Sequence, residues 1–260
     1  MQVSKPAMMQ WRAIMQIKSL KHVPYIFSIL IVFIMFATQS EAATFKKLEK
    51  PPLEDHMFGI YVGKDRVGFY NQKFIEITDG YKIEASGSVK LKVLGFSKES
   101  TTKETYIVAK NLALRSFEIT QMLNGIETVI SGKKYDTSLL FKIVTAGKTI
   151  QKQSKLTEDV IPGPALNIYP LMQDQFIGKT YNINTFDIEE LRVKKIKISV
   201  FKEEKAPDEQ PGLKMRNTLY PFVHNDIWVD NKGNTLWESV RDGLVITKFE
   251  ISKLLETLKP

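Results

Sequence analysis

Along most of the chain, apolar and polar residues alternate with a period of two, the mark of strands with one wet and one buried face. Val89, Leu91 and Val93 alternate with Lys90 and Lys92, and Ile196, Ile198 and Val200 with Lys195, Lys197 and Ser199. The pattern predicts a first hairpin from Phe58–Val62 and Val67–Ile77 around the turn Gly63-Lys64-Asp65-Arg66. Strands are expected next at Tyr81–Ala85 and Val89–Leu94, split by Ser86-Gly87-Ser88, and at Thr101–Ala109 and Leu114–Gln121 about Lys110-Asn111. Gly125–Ser131, Ser138–Thr145 and Lys148–Lys155 repeat the rhythm, with Gly132-Lys133-Lys134 and Ala146-Gly147 as punctuation. Later segments at Thr180–Asp187, Arg192–Lys202, Lys214–Val223, Asp226–Asp230, Thr235–Arg241 and Leu244–Phe249 complete the set, and the polar, breaker-rich Glu203–Gly212 reads as an exposed loop.

The alternation breaks once. Ile161-Pro162-Gly163-Pro164 leads into Ala165–Met172, where Leu166, Tyr169 and Met172 recur at helical spacing, and Pro164 suits a first helical turn because its missing N–H costs nothing there. A short helix crossing an open end of the sheet is expected, with a surface loop as the alternative. Ser252–Leu258 carries a weaker helical pattern. About a dozen strands with one apolar face cannot stay flat, and few helices are available to cover them. The expected fold class is therefore all-β and mainly antiparallel: a curved half-barrel or barrel-like sheet with one short inserted helix and a weak C-terminal helix. A sandwich is the second choice. Such curvature makes a concave interior able to hold a ligand.

Residues 1–42 stand apart from this pattern. Lys5, Arg12, Lys18 and Lys21 form a basic leader, Val23 to Ala37 an apolar stretch, and Ala42 ends a small-residue cleavage site. That order describes a secretory signal peptide, and the apolar run is shorter than the roughly 20 residues of a spanning helix. The expected location is periplasmic or secreted, an uncleaved anchor being the alternative. Residues 43–55 then form a flexible lead-in, and 56–260 a single antiparallel β domain.

Composition narrows the chemistry. With 43% hydrophobic residues the chain can bury a core, and with no Cys it has no thiolate nucleophile, thiolate metal site or disulfide. The net charge of +8 is spread as lysine along the strands, which suits soluble strand faces better than a nucleic-acid patch. Outside the leader only His56 and His224 could serve as imidazole bases; both are expected in solvated positions, His56 at the edge of the lead-in and His224 in a turn. Asp226, Asp230, Asn231 and Asn234 lack the register of a calcium loop and read as a hairpin turn. The adjacent acids Glu189-Glu190 and Glu203-Glu204 point to opposite faces of a strand, whereas paired catalytic carboxylates must face one another. The aromatics Phe58, Tyr61, Phe69, Tyr70 and Phe141 read as core. No residue is assigned to catalysis, to a metal or to a cofactor, and no cofactor is expected.

The segments F-G-I-Y-V-G-K-D-R-V-G-F-Y (58–70), V-I-P-G-P-A-L-N-I-Y-P-L-M (160–172), T-F-D-I-E-E-L (185–191), I-W-V-D-N-K-G-N-T-L-W-E-S (227–239) and G-L-V-I-T-K (243–248) resemble a β-rich bacterial envelope domain of unknown function. That domain often stands before a transglutaminase-like domain in exported proteins. The resemblance implies a curved antiparallel sheet, similar to the outer-membrane lipoprotein carriers, with no established activity and no catalytic residue to carry over. Two functions are then expected to compete. One is a non-catalytic periplasmic binding module holding a lipid-like or other apolar ligand. The other is a structural or adaptor protein for an envelope enzyme on another chain, docking through an exposed patch near Trp228 and Trp237. Nucleic acid is not an expected partner.

Overall fold

The computed structural model describes residues 45–93, 96–188, 190–220, 223–240, 243 and 245–250. The expected leader and the weak helical pattern at 252–258 lie outside these residues. Fourteen strands form one antiparallel sheet: β1 (His56–Val62), β2 (Asp65–Ile77), β3 (Gly80–Val93), β4 (Phe96–Ala109), β5 (Leu114–Leu123), β6 (Ile126–Tyr135), β7 (Ser138–Thr145), β8 (Lys148–Lys155), β9 (Thr180–Asp187), β10 (Arg192–Lys205), β11 (Pro211–Tyr220), β12 (Val223–Val229), β13 (Thr235–Val240) and β14 (Val245–Glu250). Their order is β8-β7-β6-β5-β4-β3-β2-β1-β14-β13-β12-β11-β10-β9. Two meanders therefore meet where β1 pairs with β14, and the two edge strands, β8 and β9, are consecutive in the chain. The sheet is not closed into a barrel.

The curl is visible in contacts between strands far apart in the sheet. The Phe186 ring on edge strand β9 lies 4.9 Å from that of Phe117 on β5 and 5.0 Å from that of Phe141 on β7. The linker between the two edges fastens the same approach through the backbone. Val160 O accepts from Leu114 N at 2.7 Å, and Ile161 N donates to Asn184 O at 2.8 Å. Irregularities in register at Ile60/Tyr61, Ile107/Val108, Val200/Glu203, Thr218/Tyr220 and Trp228/Val229 add the local bending that bulges supply.

Cross-strand rows run along the inner face. One carries Ile83, Tyr106, Phe117, Gly132 and Phe141; the next carries Ala85, Glu104, Ile119, Ile130 and Ile143. Apart from Glu104 and Gly132, these side chains are at most 6% exposed, and all but Ala85 belong to the main core with Phe74, Phe186, Ile196 and Ile198. A second cluster packs Leu171 and Phe176 of the linker on Val200, Leu213, Met215, Ile227 and Val229.

Two glycines that read as turns in the sequence lie inside strands. Ser86-Gly87-Ser88 does not split a strand, since β3 runs unbroken from Gly80 to Val93. Gly87 faces Tyr70 across the ladder, and a Cβ there would come within 3.2 Å of the Tyr70 ring. Gly132 likewise lies within β6, where a Cβ would fall 2.3 Å from Phe117 Cε1. Both glycines are floors for aromatic rings leaning across a neighbouring strand, and the β6–β7 turn falls instead at Asp136-Thr137. The first hairpin turn is also tighter than expected: Gly63 and Lys64 alone separate β1 from β2, with Gly63 at φ +61°.

The inserted helix is two short 3₁₀ turns, Gly163–Ala165 and Tyr169–Met172. Pro162, Pro164 and Pro170 deny the segment the successive N–H donors of an α-helix. Residues 45–55 contain no regular element but are fastened down: Leu48 N donates to Leu171 O at 2.9 Å, and Phe45, Leu48 and Leu53 pack on the core clusters. Among the described residues no helix is long and apolar enough to cross a membrane.

Candidate functional site

A cavity of about 430 Å³ lies inside the curl. Its walls come from β1 (Phe58, Ile60), β2 (Tyr70, Gln72), β4 (Glu104, Tyr106), β9 (Phe186), β11 (Asn217), β12 (Asn225), β13 (Thr235, Glu238) and β14 (Thr247), and from the linker through Gly163, Pro164, Leu166 and Asn167. Strand alternation puts these groups together. Phe58 and Ile60, Tyr70 and Gln72, and Glu104 and Tyr106 are i, i+2 pairs, so each pair shares the inner face. The Pro-rich segment thus forms part of the wall, and Gln72 Nε2 holds it in place by donating to Pro164 O at 3.0 Å.

The lining is far more polar than an apolar-ligand reading of the sequence anticipates. Two carboxyls sit in it, each tied to one wall group. Tyr106 OH donates to Glu104 Oε2 at 2.6 Å, and Asn225 Nδ2 donates to Glu238 Oε1 at 3.0 Å. Burial raises both carboxyls above the ordinary glutamate range, with these hydrogen bonds acting weakly the other way. The Tyr70 hydroxyl is pushed well above its usual value, first by burial and then by the nearby charges of Glu104 and Glu238. Burial does the same to Tyr106, reinforced by Glu104. Asn217 is 5% exposed; its Nδ2 donates to Asn167 Oδ1 at 3.1 Å, and its Oδ1 has no hydrogen-bond partner. Carboxyls perturbed by burial in a cleft, together with a buried acceptor left unsatisfied, are the features of a binding or reaction site.

A larger hollow of about 750 Å³ runs along the outer face of β4–β8, beside Ile107, Tyr135 and Leu140 and among Lys133, Lys142 and Lys152. It is an open groove on the wet side of the sheet, with no buried unsatisfied group of its own. The interior cavity has the more site-like chemistry despite its smaller volume.

The residues singled out in the sequence scatter. His56 is not in a solvated position: it opens β1 on the inner face, is 4% exposed, and burial lowers its pKa. It borders a 30 Å³ hollow with Pro52, Gly233 and Asn234 beside the main cavity. His224 lies within β12 and not in a turn, paired with Thr218 of β11. β1 and β12 are separated by β13 and β14, so the sheet does not pair the two histidines. Asp230 closes the β12–β13 hairpin by accepting from Lys232 N and Asn234 N, both at 2.8 Å, while Asp226 is held by Arg216 on the outer face. Glu204 pairs with Lys214 at 2.8 Å, and Glu190 with Arg192; Glu189 lies outside the described residues.

Of the five aromatics, Phe58 and Tyr70 line the cavity and Phe141 is core, whereas Phe69 is 37% exposed and Tyr61 donates to Glu250 at 2.7 Å. The Trp228–Trp237 hairpin gives no exposed patch. The two indoles face one another across β12 and β13, are 7% and 8% exposed, and are covered by Ala206 and Ile246. Glu104 and Glu238 were missed, although the sequence carried a signal. Each sits in the apolar phase of its strand, Glu104 between Thr102 and Tyr106-Val108, and Glu238 after Leu236.

The architecture has a solved counterpart. A β-barrel-like protein of a domain of unknown function, DUF1849, from Brucella abortus superposes with a TM-score of 0.53 at 12% identity, over 75% of this chain and 94% of its own. A DUF1089 family protein from Pseudomonas aeruginosa aligns more loosely, with a TM-score of 0.41 at 9% identity over 66% of this chain and 89% of its own. No family model matches the chain, and no curated protein matches it in sequence. The Brucella likeness establishes a shared fold of the β-barrel-like kind. It agrees, at that coarser level, with the resemblance to a β-rich domain of unknown function.

Proposed function

We propose that the chain is an exported, non-catalytic binding module that takes a small amphipathic molecule into the cavity of its curled sheet. The observation that carries this reading is the unpartnered Asn217 Oδ1, 5% exposed in the wall of a 430 Å³ cavity. A buried acceptor without a partner costs about 1–3 kcal/mol, and a ligand that satisfies it recovers that energy. The volume falls within the roughly 300–1,000 Å³ of small-molecule sites. Phe58, Leu166, Phe186 and Ile188 offer apolar surface to the body of a ligand, while Asn217, Glu104 and Glu238 offer acceptors to its polar group. The basic, apolar and small-residue order of residues 1–42 supports export to the periplasm.

The test is native mass spectrometry of the full chain, expressed with its leader in a Gram-negative host and purified without detergent. A retained mass that denaturation releases, and that the cavity-filling change Thr247→Phe abolishes, is the expected result. A retained mass that survives Thr247→Phe unchanged, or no retained mass together with no small molecule that raises the melting temperature, would overturn the reading.

The outer groove supports a second reading, in which the chain docks on an envelope protein through the exposed Tyr135 and Leu140, 53% and 42% accessible. Site-specific crosslinking from position 140 in the producing cell would test it.

A further inference from the structure

The cavity has a one-sided electrostatic make-up. The chain carries 37 Lys and Arg against 29 Asp and Glu, yet among the described residues no Lys, Arg or His lines this cavity, and two glutamates do. Its titratable groups are Glu104, Glu238, Tyr70 and Tyr106. Four of the wall's donors are spent on the wall itself, while the hydroxyls of Tyr70, Thr235 and Thr247 and Asn167 Nδ2 donate no hydrogen bond among the described residues. Tyr106 OH serves Glu104, Asn225 Nδ2 serves Glu238, Asn217 Nδ2 serves Asn167, and Gln72 Nε2 serves Pro164 O. The strongest uncommitted groups are acceptors: Asn217 Oδ1, with no partner, and the second oxygen of each carboxyl, for which no hydrogen bond is found. Around them stand the rings of Phe58, Tyr70, Tyr106 and Phe186, whose faces attract cations.

From this arrangement, and resting on the binding-module reading above, we infer that the ligand class is a small organic ammonium ion: a primary or secondary amine on an apolar body, its N–H groups directed to Asn217 Oδ1 and to Glu104 or Glu238. An ammonium is donor-only, so it matches a wall of acceptors without leaving a lone pair unsatisfied. It also supplies the positive charge that these two half-buried carboxyls lack. Burial raises both above the ordinary glutamate range, and an ammonium beside them would act the other way. A carboxylate or phosphate ligand would meet acceptors and like charge, which disfavours it. An alcohol would satisfy Asn217 and leave both carboxyls as they are.

The experiment is isothermal titration of the full-length protein at pH 8 with hexylammonium, hexanol and hexanoate, which share an apolar body and differ in the polar group. Hexylammonium is expected to bind at least about tenfold more tightly than hexanol, since its hydrogen bonds to the carboxyls are charge-assisted. Hexanoate is expected not to bind. The double variant Glu104→Gln/Glu238→Gln should erase the preference for hexylammonium over hexanol, and melting curves would show that it folds. Equal or tighter binding of hexanol or hexanoate would overturn the ammonium inference and leave the binding module standing. Binding of none of the three would also overturn it, and the binding module would then be decided by the retained-mass experiment.

Discussion

Phe186 is the stitch that turns an open ladder into a curl, and its removal should be felt throughout. It lies on edge strand β9, yet its ring contacts Phe117 on β5 and Phe141 on β7, at interplanar angles of 37° and 72°. Phe186→Leu keeps an apolar group of similar reach in a site that is 7% exposed and removes both ring pairs. Each pair is worth about 0.5–1.5 kcal/mol beyond area burial, so the two together give about 1–3 kcal/mol. Incomplete relaxation around the smaller side chain adds to this, for an expected loss of about 2–4 kcal/mol. Phe69→Leu, at the 37% exposed ring of β2, should cost under about 0.5 kcal/mol and serves as the control. Urea denaturation with an unchanged slope would report the difference as a shift of midpoint. The cycle with Phe117→Leu should give a coupling of about 0.5–1.5 kcal/mol. If Phe186→Leu costs no more than the control, or if the two changes are strictly additive, the rings do not hold the edge to the interior and the account of the curl is wrong.

Three further outcomes are expected. Gly132→Ala puts a Cβ 2.3 Å from Phe117 Cε1 and 2.6 Å from its Cζ, and since that ring is wedged against Phe186 it should cost about 1–3 kcal/mol, measured by the same denaturation. Glu238→Gln should make the protein less sensitive to rising pH. The folded carboxyl is held above the ordinary value, so its contribution is complete below that value and is lost as pH rises through the folded one; melting curves from pH 4 to 8 should fall for the wild type and flatten for the variant. Gly87→Val must tilt the Tyr70 ring, whose Cδ2 would lie 3.2 Å from the new Cβ, and should weaken retention of any cavity ligand while the chain still folds, read by native mass spectrometry and circular dichroism.

Most of the strands were legible from period-two alternation and the turn residues that bound it; β7, β8 and β9 keep the expected bounds although β9 carries no lysine and β8 no buried residue. The glycines at 87 and 132 misled because the conformational freedom that marks a turn and the missing side chain that accommodates a ring are the same chemical fact. The pairing of β1 with β14 was not legible, since nothing in period-two alternation encodes which distant strand lies alongside. The cavity was half legible. Its apolar alternates were plain, but Glu104 and Glu238 become meaningful only once the curl brings β4 and β13 around one space. His56 was misjudged for a related reason: the strand it opens begins two residues earlier than its first strongly apolar alternate, Phe58.

The strand order also sets a constraint on how the protein is made. β1 through β8 can zip up as a run of hairpins as the chain emerges N-terminus first, because every neighbour in that arm precedes β9 in the sequence. The inner edge of β1 has no such neighbour. It waits for β14, the last of the fourteen strands to be translated, and until then presents an unsatisfied strand edge in what will be the middle of the finished sheet. Expression should therefore be most sensitive to substitutions that slow the second meander, and a holdase that shields extended backbone should help the newly made chain more than it helps the folded one.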